Sequence, residues 1–172
     1  LSLRRQRQMC IRDSIHGKTA ALFAAACRVG AVVAERDERE ERALESYGTN
    51  LGMAFQLVDD ALDYAADQAR LGKTVGDDFR EGKITLPVLA AYAAGSEEDR
   101  AFWQRVIEES EQRPDDLDHA LSLIEKTDAI RITLDRATEY AQAACEALSI
   151  FPPGRLRQLL QDTASYTVNR LR

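Results

Sequence analysis

The stretch DEREERALESYGTNLGMAFQLVDDALDYAA, residues 37–66, decides the fold of this chain. On a wheel that advances about 100° per residue, its large apolar side chains share an arc of about 60°; they are Leu44, Leu51, Phe55, Val58 and Leu62. A separate arc of about 100° carries polar side chains, namely Gln56, Asp59, Asp60 and Asp63. The pattern predicts a long amphipathic helix with a core face and a polar flank.

Two glycines, Gly48 and Gly52, lie at the boundary between these two faces. A glycine inside a helix costs up to about 1 kcal/mol relative to alanine. Their presence therefore predicts that another group approaches this flank closely. A neighbouring helix and a ligand would both fit.

The remainder of the chain repeats the three-and-four spacing of apolar residues and has only nine glycines and four prolines. We predict an all-α fold with further helices near 15–34, 84–95, 97–111, 115–126, 128–149 and 153–170. The segment 67–83 is polar and carries three glycines, so we predict a long loop there. Loops of that length in compact domains tend to be functional.

Composition narrows the function classes. The chain has 172 residues, 45% of them hydrophobic and 30% charged, which is typical of one globular domain. A net charge of −6 argues against nucleic acid as a partner, and no apolar run is long enough for a transmembrane helix. Three widely spaced cysteines, Cys10, Cys27 and Cys145, form no disulfide framework and indicate a reducing, cytoplasmic location.

Residues 1–14 differ from the rest of the sequence. They lack a helical period and carry a net charge of +3, whereas the rest carries −9. The run QMCIRDS is similar to translated sequencing adapters. We expect a non-native or disordered segment over 1–14 and the helical domain over 15–172, with a disordered basic arm as the alternative.

Asp59 and Asp63 lie one helical turn apart. Without a cation, two such carboxylates would repel each other by about 2–3 kcal/mol at an effective dielectric constant of 20. Mg²⁺ takes one or two carboxylates and fills its shell with water and phosphate oxygens. A solvated acidic face is the alternative interpretation of this motif.

Lysines complete the pattern. Lys18 and Thr19 open the first predicted helix, where free backbone N–H groups favour anions. This GKT is not a P-loop, because Arg12 stands where that motif needs glycine. Lys73 and Lys83 follow the aspartates in the predicted loop. Carboxylates with three lysines indicate a metal-bridged diphosphate, although each loop lysine by itself also fits ordinary solvation.

The segments GKTAALF, FQLVDDALDY and GKTVGDDFREGKITLP together resemble the trans-isoprenyl diphosphate synthase (polyprenyl synthetase) family. The resemblance runs from about Ile15 to the C-terminus. It implies an antiparallel helix bundle of the isoprenoid synthase type, incomplete at its N-terminus, from a long-chain octaprenyl or decaprenyl enzyme.

The resemblance also implies residue roles. Asp59 would bind Mg²⁺ directly, and Asp60 and Asp63 would act partly through water. Lys18, Lys73 and Lys83 would contact the diphosphate, and Thr19 and Gln56 would face the allylic chain. We expect the lysines and aspartates to converge on one cleft.

The implied reaction joins an allylic diphosphate to isopentenyl diphosphate and gives an all-trans polyprenyl diphosphate, a precursor of quinone side chains. Family members are homodimers. Release of such an apolar product is compatible with peripheral membrane contact.

The sequence also lacks several motifs of the family. The chain has no counterpart of the first aspartate-rich motif, of the arginines that follow it, or of the isopentenyl diphosphate site. We therefore expect a truncated synthase that is inactive alone. If so, apolar residues of its first helix should be only partly covered; they are Leu22, Phe23, Val29 and Val33.

Two other functions stay open. A non-catalytic partner subunit of a hetero-oligomeric prenyl synthase would often lose the aspartate motif, which is intact here. A class I terpene or squalene synthase-like enzyme would usually carry an Asn/Ser/Glu metal triad, which we do not find in the sequence.

Overall fold

The computed structural model describes residues 16–65 and 75–170, and this part of the chain is all-helical. A π-helical turn over His16–Ala20 leads into α1, Ala21–Val33. The next helices are α2, Glu38–Leu62; α3, Asp77–Arg80; and α4, Leu86–Ala94. α5, Glu97–Trp103, continues as a π-helical turn over Gln104–Glu108 and is followed by α6, Asp116–Lys126. α7, Ala129–Ala147, ends in a 3₁₀ turn over Leu148–Ile150, and α8 is Arg155–Val168.

These helices confirm the all-α prediction and most of its boundaries. α2 ends at Leu62, four residues before the predicted end at residue 66. The prediction that 67–83 is entirely loop is wrong for α3. That single turn forms because Phe79 is buried in a core while Asp77 and Arg80 pair across the turn at 2.8 Å.

The described chain forms two compact units. Unit 1 contains the residues up to Val58 and those from Arg136 onward. Unit 2 contains Asp59–Asp135.

Unit 1 has a core of aromatic, aliphatic and small side chains: Tyr47, Leu51, Ala54, Ala141, Ala144, Leu148 and Ala164. The Tyr47 hydroxyl donates a hydrogen bond to the Leu160 carbonyl at 2.9 Å, and burial raises its pKa to about 12. Cys27 and Cys145 pack against the same core, and burial raises the pKa of both thiols.

Helices α1 and α2 approach closely at the two glycines of α2. A Cβ on Gly48 would lie 2.4 Å from the Phe23 carbonyl oxygen, and one on Gly52 would lie 2.7 Å from the Ala20 Cα. Of the two explanations left open by the sequence, the neighbouring helix is the one that the structure shows.

Unit 2 is built around Trp103 and Phe79, whose rings meet edge to face with centroids 6.4 Å apart. Buried residues from α4, α6 and the start of α7 complete this core: Val88, Ala91, Ala120, Leu123, Ile124 and Ala129. Arg105 donates two hydrogen bonds to the Asp116 carboxylate, at 2.8 and 2.9 Å, and so links the π-helical turn after α5 to the start of α6.

One face of α1 is apolar and exposed. Leu22 is 74% exposed, Val29 56% and Val33 79%, while Phe23 is half-buried. This confirms the predicted partial coverage of the first helix. Among the described residues, no helix is long and apolar enough to cross a membrane.

Candidate functional site

Three aspartates near the end of α2 have different surroundings. Asp59 is exposed, Asp63 is half-buried, and Asp60 is only 4% exposed. Asp60 lies at the edge of the polar flank on the helical wheel, and its burial turns its carboxylate toward the protein. Asp59 presents the most accessible carboxylate of the motif.

Asp63 accepts two hydrogen bonds from the backbone at the start of α3. Its Oδ2 accepts a hydrogen bond from the Asp78 backbone N–H at 2.9 Å, and its carbonyl accepts one from the Gly76 N–H at 2.8 Å. Burial raises the pKa of Asp63, and the hydrogen bond from Asp78 offsets part of this rise. The side chain thus positions α3 as well as contributing charge.

Lys83 lies against two carboxylates of unit 2. Its Nζ is 2.8 Å from Asp78 Oδ1 and 2.6 Å from Glu81 Oε2. Hydrogen bonds to both groups raise the pKa of Lys83, so the amine carries its charge at neutral pH. Gly82 has φ of +66°, a conformation that other residues rarely adopt, and it turns the chain so that Lys83 folds back over α3.

In unit 1 the structure brings Thr19 and Gln56 together. The Thr19 hydroxyl donates a hydrogen bond to Gln56 Oε1 at 2.7 Å. This contact joins the start of the first helix to the polar flank of α2 and fixes which way the amide of Gln56 faces.

The structure describes only some of the residues that are predicted to converge on one cleft. Lys73 and the side chain of Lys18 lie outside the described residues. Within unit 2, Asp63 and Lys83 are linked through Asp78. Convergence of all three lysines on the aspartates stays a prediction.

The acidic side chains suit a hard cation that keeps most of its shell for other ligands. Among the described residues, no three His, Cys, Asp or Glu side chains converge as a preformed metal cage. Mg²⁺ needs only one or two carboxylates when water and phosphate oxygens supply the other positions. The exposed oxygen donors of Asp59 fit that mode of binding.

Asp78 and Glu81 both contact Lys83, and the sequence did not predict either contact. Asp78 stands five residues before Lys83, a spacing that brings the two side chains together only across one helical turn and a reversal at Gly82. The signal in the sequence was the compact string GDDFREGK, which encodes that turn and reversal.

Comparison with known proteins assigns the family. The polyprenyl synthetase family model matches residues 8–124. The chain is 42% identical over 156 residues to octaprenyl diphosphate synthase of Haemophilus influenzae, a match that covers 91% of this chain and 47% of that protein. The chain spans about half the length of the curated relatives it matches.

Solved structures agree. Polyprenyl synthase from Caulobacter crescentus, complexed with calcium and isoprenyl diphosphate, is 47% identical with a TM-score of 0.87, and the match covers 95% of this chain and 50% of that one. Decaprenyl diphosphate synthase from Rhodobacter capsulatus is 46% identical with a TM-score of 0.80, covering 92% and 48%. With its sequence motifs, its helical fold and these relatives in agreement, the chain belongs to the polyprenyl synthetase family.

Proposed function

We propose that this chain carries the diphosphate-binding part of an all-trans polyprenyl diphosphate synthase of the octaprenyl or decaprenyl type. The enzyme joins an allylic diphosphate to isopentenyl diphosphate. The observation that carries the proposal is the linked set in unit 2, in which Asp63, Asp78 and Lys83 lie in one hydrogen-bonded chain near the exposed Asp59.

Ionisation of an allylic diphosphate places growing negative charge on the leaving group. A cation held close to that group lowers the barrier, because it interacts more strongly with the transition state than with the ground state. Lys83 stays protonated and supplies such a charge, and Lys18 and Lys73 are proposed to add two more. When bound, Mg²⁺ supplies further charge stabilisation through Asp59.

Thr19 and Gln56 are proposed to face the allylic chain near the reacting carbon. Their mutual hydrogen bond holds the amide of Gln56 in one orientation. An oriented dipole beside a developing allylic cation stabilises it without any rearrangement during the reaction.

The remaining features of the proposal follow the family. The metal is Mg²⁺, the complete enzyme is a cytoplasmic homodimer, and the product is a precursor of quinone side chains. The calcium in the Caulobacter complex supports a divalent metal in that relative.

Calorimetric titration of this chain with inorganic pyrophosphate in MgCl₂ tests the proposal. We expect Mg²⁺-dependent binding that weakens at least tenfold in Asp59→Ala and in Lys83→Ala, because each change removes a direct ligand of the metal or the anion. Asp118→Ala, an exposed carboxylate on α6, serves as the matched control. Equal affinities in Asp59→Ala, Lys83→Ala and the control would refute the site.

A further inference from the structure

The ammonium group of Lys83 is shared between two carboxylates whose surroundings differ. The Asp78 side chain is 17% exposed and the Glu81 side chain 61% exposed. Both oxygens lie within hydrogen-bond distance of Nζ, at 2.8 Å for Asp78 and 2.6 Å for Glu81.

Asp78 is anchored in the fold. Its backbone N–H donates to Asp63, and its carbonyl accepts a hydrogen bond from the Lys83 N–H at 2.9 Å. Glu81 lies at the C-terminal end of α3 with its carboxylate in solvent. The contact to Asp78 is therefore the fixed one, and the contact to Glu81 is the one that can open.

Breaking the contact between Glu81 and Lys83 changes the net charge that surrounds the ammonium group. One lysine faces two carboxylates, so an anion that approaches Lys83 meets a local net charge of −1 rather than +1. Removing the Glu81 carboxylate from the ammonium group returns the local charge to zero and leaves two of its three N–H donors for the anion.

We propose that Glu81 competes with a bound diphosphate for the ammonium group of Lys83 and thereby sets how tightly unit 2 holds that anion. The inference rests on the proposed function, since it assumes that Lys83 contacts a diphosphate. Glu81 acts through Lys83 and is a positioning residue in this scheme.

The size of the effect follows from the exposure of the pair. Exposed ion pairs contribute little, equivalent to at most about a fivefold change in an equilibrium constant. Glu81→Gln should therefore tighten pyrophosphate binding by about two- to fivefold. A purely structural role for Glu81 would weaken binding instead.

The same titration with pyrophosphate and MgCl₂ tests this inference in four variants. Asp77→Asn is the matched control, because Asp77 is an exposed carboxylate of the same turn that pairs with Arg80 at 2.8 Å. Glu81→Gln is also made in a Lys83→Gln background. If Glu81 acts through Lys83, the gain is absent there, whereas general charge repulsion would give the same gain in both backgrounds.

The outcomes separate the two proposals. If Lys83→Gln weakens binding but Glu81→Gln matches Asp77→Asn, or gains equally in both backgrounds, this inference is wrong and the proposed function stands. If pyrophosphate binds equally with and without Lys83, this inference is wrong, and the proposed function fails with it if Asp59→Ala also matches its control. A gain in Glu81→Gln that depends on Lys83 supports both.

Discussion

Four aspartates differ in role because their exposure and hydrogen-bond partners differ. Asp59 is exposed and Asp60 is buried, and Asp63 is half-buried with a backbone N–H as partner. Asp116, also buried, accepts hydrogen bonds from the guanidinium of Arg105 and from the Arg113 backbone N–H at 2.7 Å. Asp59 is the most accessible of the four, and Asp116 has a structural role.

Asp116 provides a prediction of acid sensitivity. The Arg105 guanidinium lowers the pKa of Asp116 from 3.8 to about 2, so the unfolded chain takes up a proton at a higher pH than the folded chain. The stability from this pair is therefore complete above about pH 4 and is lost as the pH falls toward 2. Asp116→Asn should lower the free energy of unfolding at pH 7 by about 1.5–3 kcal/mol and flatten its pH dependence between 4 and 2.

Urea denaturation at a series of pH values measures this difference. Asp118→Asn, on the exposed side of the same helix, is the control and should follow the wild type throughout. Parallel curves for Asp116→Asn and the wild type between pH 4 and 2 would contradict the assignment.

At the level of helices, the packing of α1 on α2 depends on the absence of a side chain at Gly52. A Cβ there would meet the Ala20 Cα at 2.7 Å and the Ala20 Cβ at 3.2 Å, and backbone atoms cannot rotate away. Gly52→Ala should therefore lower the free energy of unfolding by about 1–3 kcal/mol. Thermal and urea unfolding measure it.

Gly30 in α1 is the matched control. It lies in a helix interior, and a Cβ added there meets nothing within 4 Å. Gly30→Ala should raise the free energy of unfolding by up to about 1 kcal/mol, because alanine has the higher helix propensity. If both alanines changed stability in the same direction, the close-packing explanation for Gly52 would be wrong.

Long helices could be predicted from the sequence because they repeat. The apolar residues of α2 and α7 recur over many turns, and buried side chains recur along both helices. α3 could not be predicted in this way, because four residues are too short to show a period. Its formation depends on burial of Phe79, a contact distant in sequence from the residues that make it favourable.

The candidate site likewise has features that local sequence predicts and features that depend on tertiary structure. Asp59, Asp63 and Lys83 could be predicted because they belong to short motifs with fixed spacing. The ion pair from Lys83 to Glu81 and the burial of Asp60 could not, since each depends on how the chain turns at Gly82 or on what packs against α2.

For the whole molecule, the exposed face of α1 should govern behaviour in solution. Arg28 is the only charged residue of α1, and it pairs with Glu41 and Glu45, so the exposed face carries no charge to oppose association. We expect this chain to associate as its concentration rises. Replacing Leu22 and Val33 by serine should shift it toward the monomer with little change in stability, because both side chains are already exposed.

Sedimentation velocity over a concentration series measures this association. Leu156→Ser with Leu159→Ser is the control, because both leucines are exposed on α8. If the α8 substitutions reduced association and the α1 substitutions did not, the self-association surface would not be the exposed face of α1.

The packing of Cys27 and Cys145 against the core of unit 1 also decides how these thiols react. Alkylating reagents and oxidants attack the thiolate, and burial keeps both groups in the protonated form at neutral pH. Each becomes an ordinary reactive thiol once the surrounding helices separate. Because both side chains are half-buried, a maleimide should label these two positions more slowly in the folded chain than after unit 1 has unfolded.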